Sequence, residues 1–338
     1  MMRKDISFLL FGLVVGAVLS AGVFVGVLRS GGSDSDSGKT VIKLAHVLDQ
    51  SHPVHKGMVE MDRRLREISG GTVELLIIPN SPLGSETECL SQVRSGAVAM
   101  TKVSAASLET FVPEMSVFSL PYLFRDSEHF WKVLNGPIGQ ELLQTGERVG
   151  LHGLCYYDSG SRSFYTTSKP VLTPEDMKGL KIRVMQSPMA MDLIKTLGGA
   201  PTPIAWGELY TALQQGMVDG AENNEPSLST SRHYEVAKHY SLDEHTSIPD
   251  VVVMSKLAWD RLSPQIQAWV SQAAEESVSF QRKVWQEQVE KSMAELKAAG
   301  VTVYRPEKAP FVEVTARMYA PYEGKPVGIL AKRIREVQ

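Results

Sequence analysis

From Ser263 to Gly300 the chain carries helical patterning with no breaker. Ser263 is suited to cap such a helix and Pro264 to open its first turn. Apolar residues recur at Trp269, Val270, Ala273, Val278, Val284, Trp285, Val289, Met293 and Leu296. At 1.5 Å per residue the helix spans roughly 50 Å, longer than one small domain is wide. No heptad is sustained, which argues against a coiled-coil arm. A straight helix of that length needs two bodies to lie on, so the pattern predicts a rod crossing the backs of two lobes. The chain's 338 residues suffice to give each lobe its own core.

The lobes themselves read as α/β. VIKLAHV (41–47) is a strand, SHPVHKGMVEMDRRLREISGG an amphipathic helix ended by Gly70 and Gly71, and TVELLIIP a second strand. A helix starting near Ser85 and a third strand, VAMTKVSA, complete a βαβαβ rhythm. That rhythm predicts a parallel sheet with helices on both faces and ligands at the carboxyl ends of its strands, after Val47, Pro79 and Val103. A second unit follows: a strand at GLHGLCYYD, a strand at LKIRV, helices at MAMDLIKTLGG and GELYTALQQ, and a return strand at VVVM (251–254). The chain is therefore expected to pass between the units more than once.

Charge and cysteine content narrow the classes. The net charge is −3 with no basic run, so no nucleic-acid partner is expected. Cys89 and Cys155 make no CxxC and no metal spacing, and both sit in apolar patterns, as buried thiols do. The N-terminus opens on Met1, Met2, Arg3 and Lys4, followed by an apolar run from Ile6 to Leu28. This is an export pattern. Its length suits a bilayer-spanning helix, and cleavage after Ala21 is only a fair match, so an uncleaved anchor is favoured over a cleaved signal peptide. No cysteine follows the run to carry a lipid. Basic charge at its start leaves the body of the protein outside the cytoplasm. GGSDSDSG (31–38) then reads as a flexible tether.

Motifs for catalysis are missing from the sequence: no G-x-S-x-G, H-E-x-x-H, P-loop lysine or strand-borne G-x-G-x-x-G occurs. His52 and His55 have a spacing a metal can use, but no third ligand lies near, and hydrogen bonding at the end of the first strand is the plainer role. No cofactor or metal is expected. What remains is a set of polar residues where two-lobed proteins hold ligands. Arg162 lies in DSGSRSFYTT after a strand, Arg183 within the strand LKIRV, and Asn223 and Asn224 after VDGAE. In that strand Leu180, Ile182 and Val184 alternate with Lys181, Arg183 and Met185. Arg183 is then either a solvated surface charge or a fixed planar fork for a carboxylate.

The phrases GSRSFYTTSKPVLTPEDMKGLKIRVMQSP, GGAPTPIAWGELYTALQQGMVDGAENN, LPYLFRDSEHFWKVLNGPIGQEL and LGSETECLSQVRSGAVAMTKVSA decide between them. In order and wording they resemble the solute-binding proteins of tripartite ATP-independent periplasmic (TRAP) transporters, over nearly everything after the tether. The resemblance implies a two-lobed periplasmic-binding-protein architecture with crossing hinge strands, closing on one small organic acid that passes to an ion-gradient-driven membrane permease. It implies no catalysis. It puts the carboxylate-binding arginine at Arg183, a second arginine at Arg162 and the V-D-G-x-E-N asparagine at Asn223. Where many members read V-D-G-x-E-N-P, this chain reads VDGAENNEP. With TKVSA and HPVHK, that looks like the branch binding hexuronates such as glucuronate or galacturonate. Asn224, His55, Glu86 and Lys102 are then expected to serve the sugar hydroxyls, and Trp206 or Tyr210 the apolar face of the ring.

The expected layout is a signal peptide or anchor over 1–30 and a linker over 31–40. Residues 41–160 with 248–288 make one lobe, and 161–247 with 289–338 the other. The protein is expected to be a periplasmic monomer. Two rival readings are a periplasmic enzyme acting on sugar acids, which needs an acid–base pair or a metal, and a tethered sensor of the same ligands.

Overall fold

The computed structural model describes residues 39–338; the N-terminal apolar run and the Gly31–Gly38 tether lie outside the described residues. Eleven strands form two sheets. One contains β1 (Thr40–Ala45), β2 (Val73–Ile78), β3 (Met100–Ser104), β4 (Leu151–Tyr157) and β10 (Asp250–Ser255), in the order β2-β1-β3-β10-β4. The other contains β5 (Arg162–Thr166), β6 (Lys181–Val184), β7 (Ala200–Pro203), β8 (Gly220–Asn223), β9 (His239–Thr246) and β11 (Thr302–Tyr304), in the order β11-β9-β5-β8-β6-β7. The first sheet departs from the all-parallel expectation. β1 and β3 are parallel, but β10 lies antiparallel between β3 and β4. This follows from the route of the chain: β10 arrives from the second sheet rather than from a crossover helix.

The chain passes directly from β4 to β5 and returns directly from β9 to β10, so each sheet holds one strand of each crossing pair. The helix Pro264–Ala298 makes the third passage. Ser263 caps it, accepting a hydrogen bond from the Ile266 amide, as its sequence predicts. Near its start Val270, Ala273 and Ala274 join the core of the first lobe with Met58, Met61 and Tyr157; near its end Leu296 joins the second with Leu209, Leu228 and Tyr240.

Between those ends the buried stripe is polar: Ser277, Gln281, Gln288 and Ser292 are buried alongside Trp285, while Val278, Val284 and Met293 are only partly covered. Gln281 explains the exchange. Its side-chain amide accepts from the Asp158 N–H at 2.7 Å and donates to the Asp158 carbonyl at 2.9 Å, satisfying the backbone between β4 and β5 where no strand partner exists. Gly57, on the helix Pro53–Ile68, lets the two helices approach at this point; a Cβ there would lie 2.6 Å from the Gln281 side chain. The helix Pro326–Glu336 packs chiefly against Pro113–Ser119, with further contacts to Ala320–Tyr322 and Pro137–Gln144.

Replacing Gln281 with Ala strands the Asp158 N–H and C=O in a dry interior. Urea denaturation is expected to show a loss of about 2–4 kcal/mol. A loss below about 1 kcal/mol, the net value of an ordinary hydrogen bond, would mean that the crossing is held elsewhere.

Candidate functional site

Between the two sheets lies a cavity lined from both lobes. The first lobe contributes Val47 and Leu48 after β1, Ser85, Glu86 and Thr87 after β2, and Lys102, Ser104 and Ser107 at the end of β3. The second contributes Met185 and Gln186 after β6, Ile204 to Trp206 after β7, and Asn223 and Ser227 at the end of β8. Carboxyl ends of strands thus meet from both sides, the arrangement by which open α/β sheets hold ligands. The lobes touch across the cavity. The Thr87 hydroxyl donates to Gln186 Oε1 at 2.5 Å, and His52 Nε2 lies 3.2 Å from Ser227 Oγ.

Arg183 is the cation that this architecture isolates. In β6 it pairs in register with Ala221 of β8 and Thr202 of β7, and it is 2% exposed. Both faces of its strand are covered, so Arg183 is not a solvated surface charge. Its Nε donates to the Ile204 carbonyl at 2.8 Å, and its guanidinium carbon sits 5.5 Å from the Trp206 ring centroid. Its Nη1 is buried with no hydrogen-bond partner. Burial lowers its pKa from the ordinary value, though a guanidinium stays charged at any physiological pH.

Arg162, by contrast, is fully engaged. It opens β5 rather than trailing a strand, and its guanidinium grips both carboxylate oxygens and the carbonyl of Glu222, with Nη1 donating to Asn223 Oδ1 at 3.0 Å. Burial opposes the charge on Glu222, but Arg162 and His245 hold its pKa down at about 2. His245, pressed against Glu222 and 2.8 Å from Asp243, is raised to about 9 against the pull of burial. Arg162, Glu222, His245 and Asp243 therefore form a chain of alternating charges that reaches the cavity at Arg162. Lys102 is likewise matched: 2% exposed, it lies 3.1 Å from Asp250 and 3.5 Å from Glu86, whose charges outweigh the cost of burial and raise its pKa.

Six of the expected residues line the cavity: Arg183, Arg162, Asn223, Glu86, Lys102 and Trp206. Asn224 does not. Its side chain caps the helix Glu225–Thr230 through Ser227 N and donates to the Ser159 carbonyl, tying the second lobe to the β4–β5 crossing. His55 does not either. Because His52 caps the helix Pro53–Ile68, it is His52 that reaches the cavity, while His55 is hydrogen-bonded to His46 at 3.0 Å. Tyr210 bonds Glu235 away from the site. Ser85, Thr87, Ser104, Ser107, Gln186, Ser227 and Asp250 line the cavity without having been singled out; the strand-end rule alone points to Ser104. Among the described residues no group of three or more His, Cys, Asp or Glu is placed to hold a metal ion. Cys89 and Cys155 are buried and unpaired.

Two α/β lobes joined by crossing strands, closed on a polar cavity that holds an unmatched buried cation, define a solute-binding protein of the two-lobed class. The model of the bacterial extracellular solute-binding protein family 7 matches residues 44–325, and the chain belongs to that family. These are TRAP solute-binding proteins: periplasmic, binding small carboxylates and working with TRAP permeases. Among the described residues no helix is long and apolar enough to cross a membrane.

A curated relative, the uncharacterized protein YiiZ of Salmonella typhimurium, is 39% identical over 291 residues, 86% of this chain and 89% of that one. A TRAP solute-binding protein from Bradyrhizobium, solved with α/β-D-galacturonate, superposes with a TM-score of 0.85 at 43% identity, covering 87% of this chain and 99% of that one. One from Pseudomonas putida F1, solved with D-glucuronate, gives 0.85 at 38% identity, covering 88% and 97%.

The charge chain behind the site has a pH signature. A histidine whose folded pKa is raised from 6.5 to about 9 stabilises the fold fully below pH 6.5 and loses that contribution as pH rises through about 9. The melting temperature of the parent is therefore expected to exceed that of H245Q most below pH 6.5, with the gap narrowing toward pH 9. A gap that does not change with pH would show His245 to be neutral.

Proposed function

We propose that this protein captures a hexuronate such as D-galacturonate or D-glucuronate and delivers it to its permease. The observation that carries the reading is the Arg183 guanidinium: buried, charged, without a carboxylate partner, and lining a cavity rich in hydrogen-bonding side chains from both lobes. The galacturonate and glucuronate held by the Bradyrhizobium and Pseudomonas relatives support it.

In this reading the ligand carboxylate accepts charge-assisted hydrogen bonds from Arg183, whose angle is fixed beforehand by the Ile204 carbonyl and the Trp206 ring. Arg162 acts at one remove, its fork committed to Glu222 and its contact with Asn223 orienting that amide toward the sugar. Asn223, Glu86 and Lys102, with His52, Ser104, Ser107 and Ser227, supply neutral and charged hydrogen-bond partners for the hydroxyls. Trp206 lies along the apolar face of the ring. Closure brings Thr87 to Gln186 and His52 to Ser227, contacts available only when the lobes are shut, and so converts ligand binding into a population shift. The protein acts as a monomer without covalent chemistry, with residues 1–30 serving export either as a signal peptide or as an anchor at the outer face of the membrane.

Calorimetry with galacturonate and glucuronate tests the clamp. R183A is expected to weaken binding by about 2–4 kcal/mol, some 30- to 1,000-fold, while remaining folded. Unchanged affinity in the variant would remove Arg183 from the ligand. Retention of the protein in washed membranes, against release with the periplasmic fraction, tests the anchor.

A further inference from the structure

The charges that line the cavity go further than the identity of one clamp. Three cations reach it: Arg183, Arg162 and Lys102. Arg162 is neutralised by Glu222 at its back. Lys102 faces two carboxylates, Asp250 at 3.1 Å and Glu86 at 3.5 Å. Glu86 is locked in place: its Oε1 accepts from the Ser104 amide at 3.1 Å and its Oε2 from the Ser107 hydroxyl at 2.6 Å. Asp250 is fixed in β10, in register with Ser104 of β3 and Tyr157 of β4. The second lobe thus offers one unmatched positive charge, and the first offers a wall with two carboxylates for one ammonium.

We propose, on the basis of the hexuronate reading, that the site selects monoanionic sugar acids and excludes dianionic ones of the same carbon count, with Glu86 and Asp250 as the excluding residues. A carboxylate on Arg183 closes the charge balance of the second lobe. A hydroxyl at the other end of the ligand donates to Glu86 or Asp250 and accepts from Lys102. A second carboxylate there faces the Glu86 and Asp250 carboxylates, and the one ammonium beside them, Lys102, is already matched; a buried charge without a charged partner is strongly disfavoured. Burial and the nearby Glu86 push the Asp250 carboxyl up. Protonated or not, Asp250 supplies no free cation. Size does not enter, because a terminal hydroxymethyl and a terminal carboxylate differ by one oxygen. Exclusion here is by repulsion rather than by a missing contact.

Three six-carbon probes separate charge from ring form: galacturonate, which cyclises, galactonate, which is acyclic with one carboxylate, and galactarate, which is acyclic with two. Calorimetry on the wild-type chain is expected to show galactarate binding about 100-fold or more weaker than galactonate. In E86Q that ratio is expected to shrink about tenfold, because one repelling charge is gone while the shape is kept. D250N serves as the second variant, and the wild-type ratio stands whether or not either variant folds. Galactarate binding within about threefold of galactonate, less than 1 kcal/mol, would overturn the proposal while leaving the hexuronate reading intact. Retention of the full wild-type ratio in both folded variants would remove Glu86 and Asp250 as its cause. Failure of galacturonate and galactonate alike to bind would overturn the hexuronate reading and this inference with it.

Discussion

A guanidinium held in a dry strand without a counter-ion is the constraint around which this molecule is arranged. Burying a charge without a partner costs several kcal/mol, and the fold meets that cost by surrounding Arg183 with fixed dipoles and an aromatic face rather than with a carboxylate. The nearby Glu222 does not serve: it is spent on Arg162 and His245. Had Glu222 been free to reach Arg183, that charge would have been satisfied from within the fold. Its engagement with Arg162 and His245 leaves the Arg183 guanidinium without a carboxylate partner.

Closing on that charge requires two rigid walls and a joint between them. The walls are the strand ends of the two sheets. The joint is the short passage from β4 to β5, and its unpaired backbone is satisfied by three side chains, Gln281 at Asp158, Asn224 at Ser159 and Asp158 at the Gly160 N–H, with Trp285 packed over Gly160. Gly160 has a φ of +58°, in the left-handed region, and a Cβ there would come within 3.1 Å of the indole, so this position favours glycine on both counts.

Much of this was legible in the sequence, and the boundary of legibility has a physical form. Caps and periodicity are local, so Ser263, Pro264 and the full length of the long helix could be read off the chain. So could the KIRV strand and its arginine. The resemblance to TRAP solute-binding proteins added the family and the uronate branch, which the comparisons support. What could not be read were partners chosen by the fold. Nothing local says that Glu222 rather than a ligand would take Arg162, or that Asn224 would cap a helix and not face the cavity. Nor does anything local say that Gln281 and Ser277 would be buried where Val278 and Val284 are not. Five strands were not read from the chain, β5, β7, β8, β9 and β11; of these β7 contains Pro201 and Pro203, tolerated because it is an edge strand, and β9 is rich in polar residues that only its buried setting explains.

The grip of Gln281 on residue 158 runs wholly through main-chain atoms, an amide answering an amide. Such a joint is blind to the side chain it holds. The Asp158 carboxylate adds a second hold of its own: Oδ1 accepts the Gly160 N–H at 2.9 Å and Oδ2 the Trp131 indole N–H at 3.3 Å. The crossing and the rod are thus each bound to one residue type, aspartate at 158 and glutamine at 281.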